Sequence, residues 1–152
     1  MYDLGVIRYK EWGPFQFANG DSMLDANLPS TFNRIYSTDE FTVEARQALT
    51  DSRHFVGNDM YIREVGGWII EGSNGSYTYK RFTGPATSNS IESGPRPPNA
   101  VGTYHTHVVE GTRDYIAHPS SGDVNASKHQ KLPGAVVSVY GITVYAHRSV
   151  PR

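Results

Sequence analysis

The chain contains no cysteine, and this absence limits both how its fold can be held together and how it can bind a metal. A disulfide framework and a cysteine-ligated zinc site are both excluded. The fold must therefore depend on a buried apolar core, for which 152 residues are sufficient and which fits one domain. Hydrophobic residues make up 38% of the chain and charged residues 19%, a balance typical of ordinary globular domains.

The formal net charge is -1, which gives no support to nucleic acid as a partner, because nucleic-acid-binding domains usually carry a basic stripe. The chain also lacks an apolar run near the roughly 20 residues that a membrane span needs. Its first residues, MYDLGVIRYKEW, do not have the form of a signal peptide. We therefore expect a soluble protein without a membrane partner, either cytoplasmic or translocated by a route that the sequence does not show.

The order of helical and strand patterns predicts an α/β fold, a single domain in which helices flank a mixed sheet. Residues 1–37 are predicted to be irregular, with one short strand near Val6–Tyr9, and to pack on or near a domain formed by residues 38–152. Capping residues predict one helix from Ser37-Thr38 to about Leu49–Asp51 and another from Ser120 to about Lys131. Strands are predicted by their β-formers and turn residues at Met60–Ile70, Ser76–Phe82, Val101–Val109, Ala135–Tyr140 and Ile142–His147.

Two histidines lie two residues apart in the predicted strand Val101–Val109. Because side chains alternate between faces along a strand, His105 and His107 are expected on the same side, with Cα atoms about 6.5 Å apart. Two imidazoles at this separation can bind one zinc ion, with Zn–N distances of about 2.0–2.1 Å. A His-x-His pair also arises by chance on protein surfaces, so the pair needs a third ligand before it indicates a metal site.

Asp123, in Ser120-Ser121-Gly122-Asp123, is the candidate third ligand. At the start of a helix, Ser120 and Asp123 lie three residues apart and therefore share one side of the first turn. Two histidines and one carboxylate leave the fourth position of zinc open to water, which is the arrangement of catalytic sites. The same Ser-x-x-Asp pattern is also an ordinary helix-capping motif, so a purely structural role for Asp123 stays open.

Glu64 is the candidate general base, in Arg63-Glu64-Val65-Gly66-Gly67-Trp68 on the first strand of the predicted hairpin. A carboxylate among apolar neighbours is costly to bury without a partner. Water activated by a zinc ion would be such a partner, and Glu64 would accept its proton. The alternative is that Glu64 faces solvent on an amphipathic strand, in which case Glu71 is the substitute base.

This ordered set of motifs resembles the signature of the JAMM/MPN+ zinc metalloprotease superfamily. It is more similar still to a bacterial branch found at the ends of polymorphic toxins, which shares an acidic residue before Gly-Gly, a hairpin, Gly-Thr-Tyr-His-Thr-His and Ser-x-x-Asp. The resemblance covers about residues 38–147. It implies a JAMM/MPN-like catalytic domain with a cytidine-deaminase-like layout and one Zn²⁺ ion. The implied zinc ligands are His105, His107 and Asp123, with Glu64 as base and Ser120 as the hydroxyl that stabilises an oxyanion.

The chain departs from the family's pattern in two places. Val108 follows the second histidine where the family has proline, and the spacer Val108–Pro119 is 12 residues long, longer than in the archetype. The longer spacer leaves His118 as a substitute ligand for Asp123. Together with the loop of residues 84–99, the spacer can form a lid or a substrate groove beside the metal.

The function that the resemblance implies is that of a zinc-dependent peptidase or isopeptidase acting on a protein or peptide. In the toxin setting the chain would be an effector domain, with an immunity protein as partner. Two alternatives stay open, a histidine-based metal-dependent nuclease and a binding module that has kept the fold but lost catalysis. A nucleobase deaminase of the usual kind is excluded, because its zinc ligands include cysteines.

Overall fold

Helices and strands both occur in a computed structural model of the chain, which describes residues 8–10, 30–108, 116–147 and 149–151. The helices are α1 (Ser30–Tyr36), α2 (Asp39–Asp51) and α3 (Ser121–Gln130). The strands are β1 (Arg8–Lys10), β2 (Arg53–Val56), β3 (Asp59–Ile62), β4 (Gly66–Glu71), β5 (Tyr77–Arg81), β6 (Ala100–Thr106), β7 (Gly134–Ser138) and β8 (Gly141–Tyr145). None of the helices in the described part of the chain is long and apolar enough to cross a membrane.

The main sheet has six strands in the order β1-β8-β7-β6-β4-β5. Strands β6 and β7 pair in parallel and every other neighbouring pair is antiparallel, so the sheet is mixed. Helices α1 and α2 pack against one face of this sheet. Residues of α3 share a cavity with Thr103 and His105 of the opposite face. The predicted single-domain α/β fold, a mixed sheet flanked by helices, is therefore confirmed.

Helix α2 begins and buries its apolar face as its sequence predicts. Thr38 is the N-cap, and its side chain accepts a hydrogen bond from the backbone N–H of Phe41 at 3.0 Å. Phe41, Ala45 and Ala48 recur at helical spacing and are completely buried. Phe41 packs edge-on against Tyr104 of β6, which joins the helix to the centre of the sheet.

Helix α1 lies inside the segment of residues 1–37 that was predicted to be irregular. It packs against α2 and β8, and its Phe32, Ile35 and Tyr36 belong to the main core. Strand β1 pairs with β8 through Arg8–Lys10, so it overlaps the predicted strand Val6–Tyr9 at its end. The rest of that predicted strand, and residues 11–29, lie outside the described part of the chain.

The prediction of one strand over Met60–Ile70 is wrong. Strand β3 ends at Ile62 and pairs with β2 in a separate two-stranded sheet, whereas β4 begins at Gly66 in the main sheet. Between them the backbone bonds to other parts of the fold, since Glu64 N–H donates to the Thr87 carbonyl and Val65 N–H donates to Thr106 Oγ1. These long-range hydrogen bonds cannot be seen in a local pattern of apolar residues.

Tyr36 connects α1 to the two central strands of the sheet. Its hydroxyl lies 2.8 Å from the Thr103 carbonyl oxygen and 3.0 Å from that of Pro133. Gly102 makes room for this hydroxyl, because a Cβ there would overlap it. Burial raises the pKa of Tyr36, so the phenol stays neutral and remains a donor.

We expect Tyr36→Phe to lower the free energy of unfolding by about 1–3 kcal/mol, because it removes a buried partner of the Thr103 and Pro133 carbonyls. Urea unfolding measures the difference. Tyr140→Phe is the control, since this half-buried side chain lies in the turn between β7 and β8. Equal effects of the two substitutions would contradict the role given to Tyr36.

Candidate metal centre

Three side chains that are distant in sequence meet beside the carboxyl end of β6. His105 lies near the end of the strand, His107 is the first residue beyond it, and Asp123 lies in the first turn of α3. The Nε2 atoms of the two histidines are 3.1 Å apart. His105 Nε2 is 3.1 Å from one Asp123 carboxylate oxygen and His107 Nε2 is 3.1 Å from the other. The structure thus brings together the three predicted ligands.

The spacing of these atoms fits a tetrahedral zinc ion. A zinc ion with bonds of about 2.0–2.1 Å holds its ligand atoms about 3.3–3.4 Å apart. The observed separations of 3.1 Å are close to this value, and the two that involve Asp123 end on its two different carboxylate oxygens. Among the described residues, the one group of histidine and acidic side chains close enough to share an ion is His105, His107 and Asp123.

The hydrogen bonding of His107 also favours a cation at this position. Its Nδ1 lies 2.7 Å from the Ile116 carbonyl oxygen, so Nδ1 carries the proton and donates. In neutral His107 the Nε2 lone pair then faces the Asp123 carboxylate at 3.1 Å. Two acceptors at this distance repel each other unless a metal ion or an additional proton lies between them. A carbonyl that orients a ligating histidine in this way is a recurrent feature of metal sites.

Asp123 combines the two roles that the sequence left open. Ser120 Oγ accepts a hydrogen bond from Asp123 N–H at 3.1 Å, and an Asp123 carboxylate oxygen accepts one from Ser120 N–H at 2.8 Å. This reciprocal pair is a capping box, which sets the start of α3. The same box holds the carboxylate against the two histidines, so capping and ligand geometry are compatible.

The charges of the three groups are strongly coupled. Burial disfavours ionised Asp123, but His105 and His107 outweigh this effect and hold the pKa of Asp123 well below its usual range. Burial likewise opposes protonation of His105, whereas the Asp123 charge and hydrogen bond raise the pKa of His105 above its ordinary value, with Glu64 adding to the rise. Without a metal the cluster therefore holds protons that a metal ion must displace.

Glu64 lies next to this cluster, in the segment between β3 and β4 and not on a strand as predicted. Its side chain is 7% exposed, so the alternative that it faces solvent is wrong. It lines a cavity of about 300 Å³ together with His105, Ser120 and Asp123. Burial raises the pKa of Glu64 and the Asp123 charge adds to this, although the two histidines oppose it. A carboxylate with a raised pKa suits a general base.

The two substitute residues lie elsewhere. Glu71 is exposed at the other end of β4 and lines neither this cavity nor its neighbour. His118 Nδ1 lies 3.1 Å from the Pro119 carbonyl oxygen, and His118 is not part of the metal-binding group. The geometry therefore favours Glu64 over Glu71 and Asp123 over His118.

The loop of residues 84–99, predicted as a lid or groove, supplies Asn89, Ser90, Ile91 and Ser93 to the cavity wall. The other predicted part of the lid falls mostly on residues 109–115, which lie outside the described part of the chain. Sequence analysis missed Tyr145, a buried residue of the same cavity whose ring packs edge-on against His105 with centroids 6.5 Å apart. Tyr145 reaches the site through the pairing of β8 with β7, and no local motif signals that position.

Comparison of the chain with protein-family models, with curated proteins and with solved structures gave no match. The interpretation of the site therefore depends on the order of its motifs and on the arrangement of its side chains.

We expect the association constant for zinc to increase with pH, because zinc must displace a proton from the cluster and the pKa of His105 is raised. The increase should be up to about tenfold per pH unit below that pKa and should level off above it. Isothermal titration between about pH 5.5 and 8, in buffers of different ionisation enthalpy, measures affinity and proton release together.

The control for this titration is His129→Ala, which removes an exposed histidine of α3 and should leave the pH profile unchanged. Zinc affinity that is constant across this pH range, with no proton release, would contradict the assignment of His105.

Proposed function

We propose that this chain is a zinc-dependent hydrolase of the JAMM/MPN+ kind that cleaves peptide or isopeptide bonds. The observation that carries the proposal is the convergence of His105, His107 and Asp123, with three side-chain contacts of 3.1 Å among them. Buried Glu64 lines one cavity with His105 and Asp123. An isolated capping box or a chance histidine pair accounts for neither the convergence of the three groups nor the burial of Glu64. The order of the motifs in the sequence gives further support.

His105, His107 and Asp123 would hold the metal, with the Ile116 carbonyl orienting His107. When bound, zinc would act as a Lewis acid that polarises a carbonyl oxygen and lowers the pKa of water. The chain's own residues supply the remaining steps.

Glu64 accepts the proton of the attacking water and passes it to the leaving nitrogen of the amide, since it lines the cavity and burial raises its pKa, which favours the protonated form. Ser120 Oγ already accepts a hydrogen bond from Asp123 N–H. Its own proton is therefore available to donate to the oxyanion that forms on the substrate. Glu64 and Ser120 line the same cavity as His105 and Asp123.

The motif resemblance to the toxin-linked branch supports a narrower proposal for the biological setting. In that setting the chain is an effector domain, either cytoplasmic or translocated as part of a toxin. Its substrate is a protein or peptide, and an immunity protein is its partner. Because a fold does not determine a substrate, peptide-bond cleavage itself has to be measured.

Glu64→Gln should retain one zinc per chain and reduce hydrolysis by at least about 100-fold, because the amide keeps the shape of the side chain but accepts no proton. Glu71→Gln is the matched control and should keep full activity. His107→Ala should lose the zinc as well as the activity. Metal analysis gives the zinc content, and mass spectrometry of a peptide mixture digested from a bacterial proteome gives the cleavage.

Full activity of Glu64→Gln would contradict the role of Glu64. Chelator-sensitive cleavage of an oligonucleotide without cleavage of peptides would identify a nuclease instead. Purified protein with well under one zinc per chain, and with no change in thermal stability on adding a chelator, would indicate a binding module.

A further inference from the structure

A second cavity adjoins the metal centre on the side of the β2–β3 hairpin. Its volume is about 670 Å³, more than twice that of the cavity that holds the metal ligands. Glu64, Phe82 and Ile91 line both cavities, so the two are neighbours across the candidate base. A substrate chain that passes Glu64 can therefore continue into the second cavity, which we name the hairpin groove.

Two arginines lie side by side at the hairpin groove. Arg53 begins β2 and pairs with Ile62 of β3, and Arg63 follows Ile62 directly, with its N–H donating to the Ser52 carbonyl at 3.0 Å. Both arginines line the groove and both are exposed. Arg63 also precedes Glu64, so their Cα atoms are about 3.8 Å apart. The backbone of Arg63 is thus next to the candidate base.

In the part of the chain that the structure describes, no carboxylate forms an ion pair with Arg53 or Arg63. The third arginine of the groove differs, because Arg81 bonds to Glu44 at 2.7 Å and to Asp51 at 3.1 Å. Arg53 is turned towards the end of β6, with Nη2 at 3.5 Å from the Val108 carbonyl oxygen. Two arginines on the wall of one groove attract an anion, and the planar fork of a guanidinium matches a carboxylate.

The rest of the groove wall indicates what kind of chain carries that anion. Its apolar part is formed by Val65, Phe82, Pro85, Ala86 and Ile91. Asp51 and Glu64 also line the groove, so its surface is not continuously basic. An extended peptide with apolar side chains and a single acidic group suits this surface better than a nucleic acid, because a nucleic-acid backbone needs a continuous basic surface.

We propose that the hairpin groove binds an acidic residue of the substrate, within about three residues of the cleaved bond, through Arg53 and Arg63. This inference rests on the proposed peptidase function, and it adds a substrate class, namely acidic peptides. The carboxylate comes from an Asp or Glu side chain or from a free peptide carboxyl terminus. Both sources present the same group to the two guanidiniums.

The test uses zinc-loaded Glu64→Gln protein, so that binding is measured without cleavage. The probes are two mixtures of random fluorescein-labelled decapeptides with amidated ends, identical except that Asn and Gln replace every Asp and Glu in the second. Fluorescence anisotropy should show at least about tenfold tighter binding of the acidic mixture, and added salt should weaken that binding. A third mixture, without Asp or Glu but with free carboxyl termini, distinguishes the two sources of the carboxylate.

The double substitution Arg53→Glu with Arg63→Glu should remove the preference for the acidic mixture. Arg53→Gln with Arg63→Gln should reduce it, and this milder variant replaces the first if charge reversal prevents folding. Lys80→Glu is the matched control, because Lys80 is exposed and lines neither cavity. Zinc content and urea unfolding confirm that each variant is folded.

Equal binding of all the mixtures would overturn the proposal, and so would tighter binding of a single-stranded oligonucleotide than of the acidic peptides. The two proposals fail in different ways. If the protein cleaves peptides without a preference for acidic residues, the proposed role of the hairpin groove is wrong and the peptidase function stands. If the wild-type protein binds acidic peptides through the two arginines but cleaves none, the peptidase function is wrong and the groove is a peptide-binding site.

Discussion

Charge balance within the cluster of His105, His107 and Asp123 governs this site. The Nε2 atom of His107 and the carboxylate of Asp123 face each other at 3.1 Å, and His105 completes the triangle. Such a cluster is unstable in a largely buried position unless positive charge lies inside it. Protons can supply that charge. The charge of Asp123 favours protonated His105 and raises its pKa, and the two histidines favour ionised Asp123 and lower its pKa. A zinc ion supplies it with a geometry that these atoms already approach.

The surrounding fold holds the cluster in place with contacts that have no chemical role of their own. Gly66 lies opposite His105 in the sheet, and a Cβ there would come within 2.9 Å of the His105 Cβ, so glycine gives the histidine its room. Thr106, between the two histidines, points to the other face and accepts the N–H of Val65. Thr106 N–H in turn donates to the Val65 carbonyl at 2.8 Å, so two hydrogen bonds join the residue after the candidate base to the strand that carries His105. Ser120 holds Asp123 in position through the hydrogen bonds of the capping box.

Local sequence patterns predicted the parts of the structure that depend on neighbouring residues alone. The cap at Thr38 and the capping box at Ser120 predicted the two longer helices, because a cap acts within one turn of the backbone. The alternation of a strand predicted that His105 and His107 share a side, and both reach one ion position although His107 lies just beyond β6. The capping motif offered Asp123 only as a candidate third ligand, and the resemblance to a known motif linked it to the two histidines, since nothing local connects Asp123 with β6.

Features created by pairing between distant segments were not predictable in the same way. The break between Ile62 and Gly66 arises from hydrogen bonds to Thr87 and Thr106, and it places Glu64 in a buried crossing segment between strands. Tyr145 enters the cavity through the register of β8 on β7. The Ile116 carbonyl orients His107 from a stretch with no distinctive sequence. Each of these contacts depends on topology, which a pattern of residue types does not specify.

X-ray absorption spectroscopy of the zinc-loaded protein at the zinc edge tests the central claim most directly, because it measures the ligands around the ion without any assumption about substrate. We expect four or five nitrogen and oxygen neighbours at about 2.0–2.1 Å, with the outer-shell scattering of two imidazoles. His107→Ala should lose the signal of one imidazole or lose the zinc altogether. A shell of six oxygen neighbours without imidazole scattering would contradict the account, since the zinc would then be bound somewhere other than at His105, His107 and Asp123.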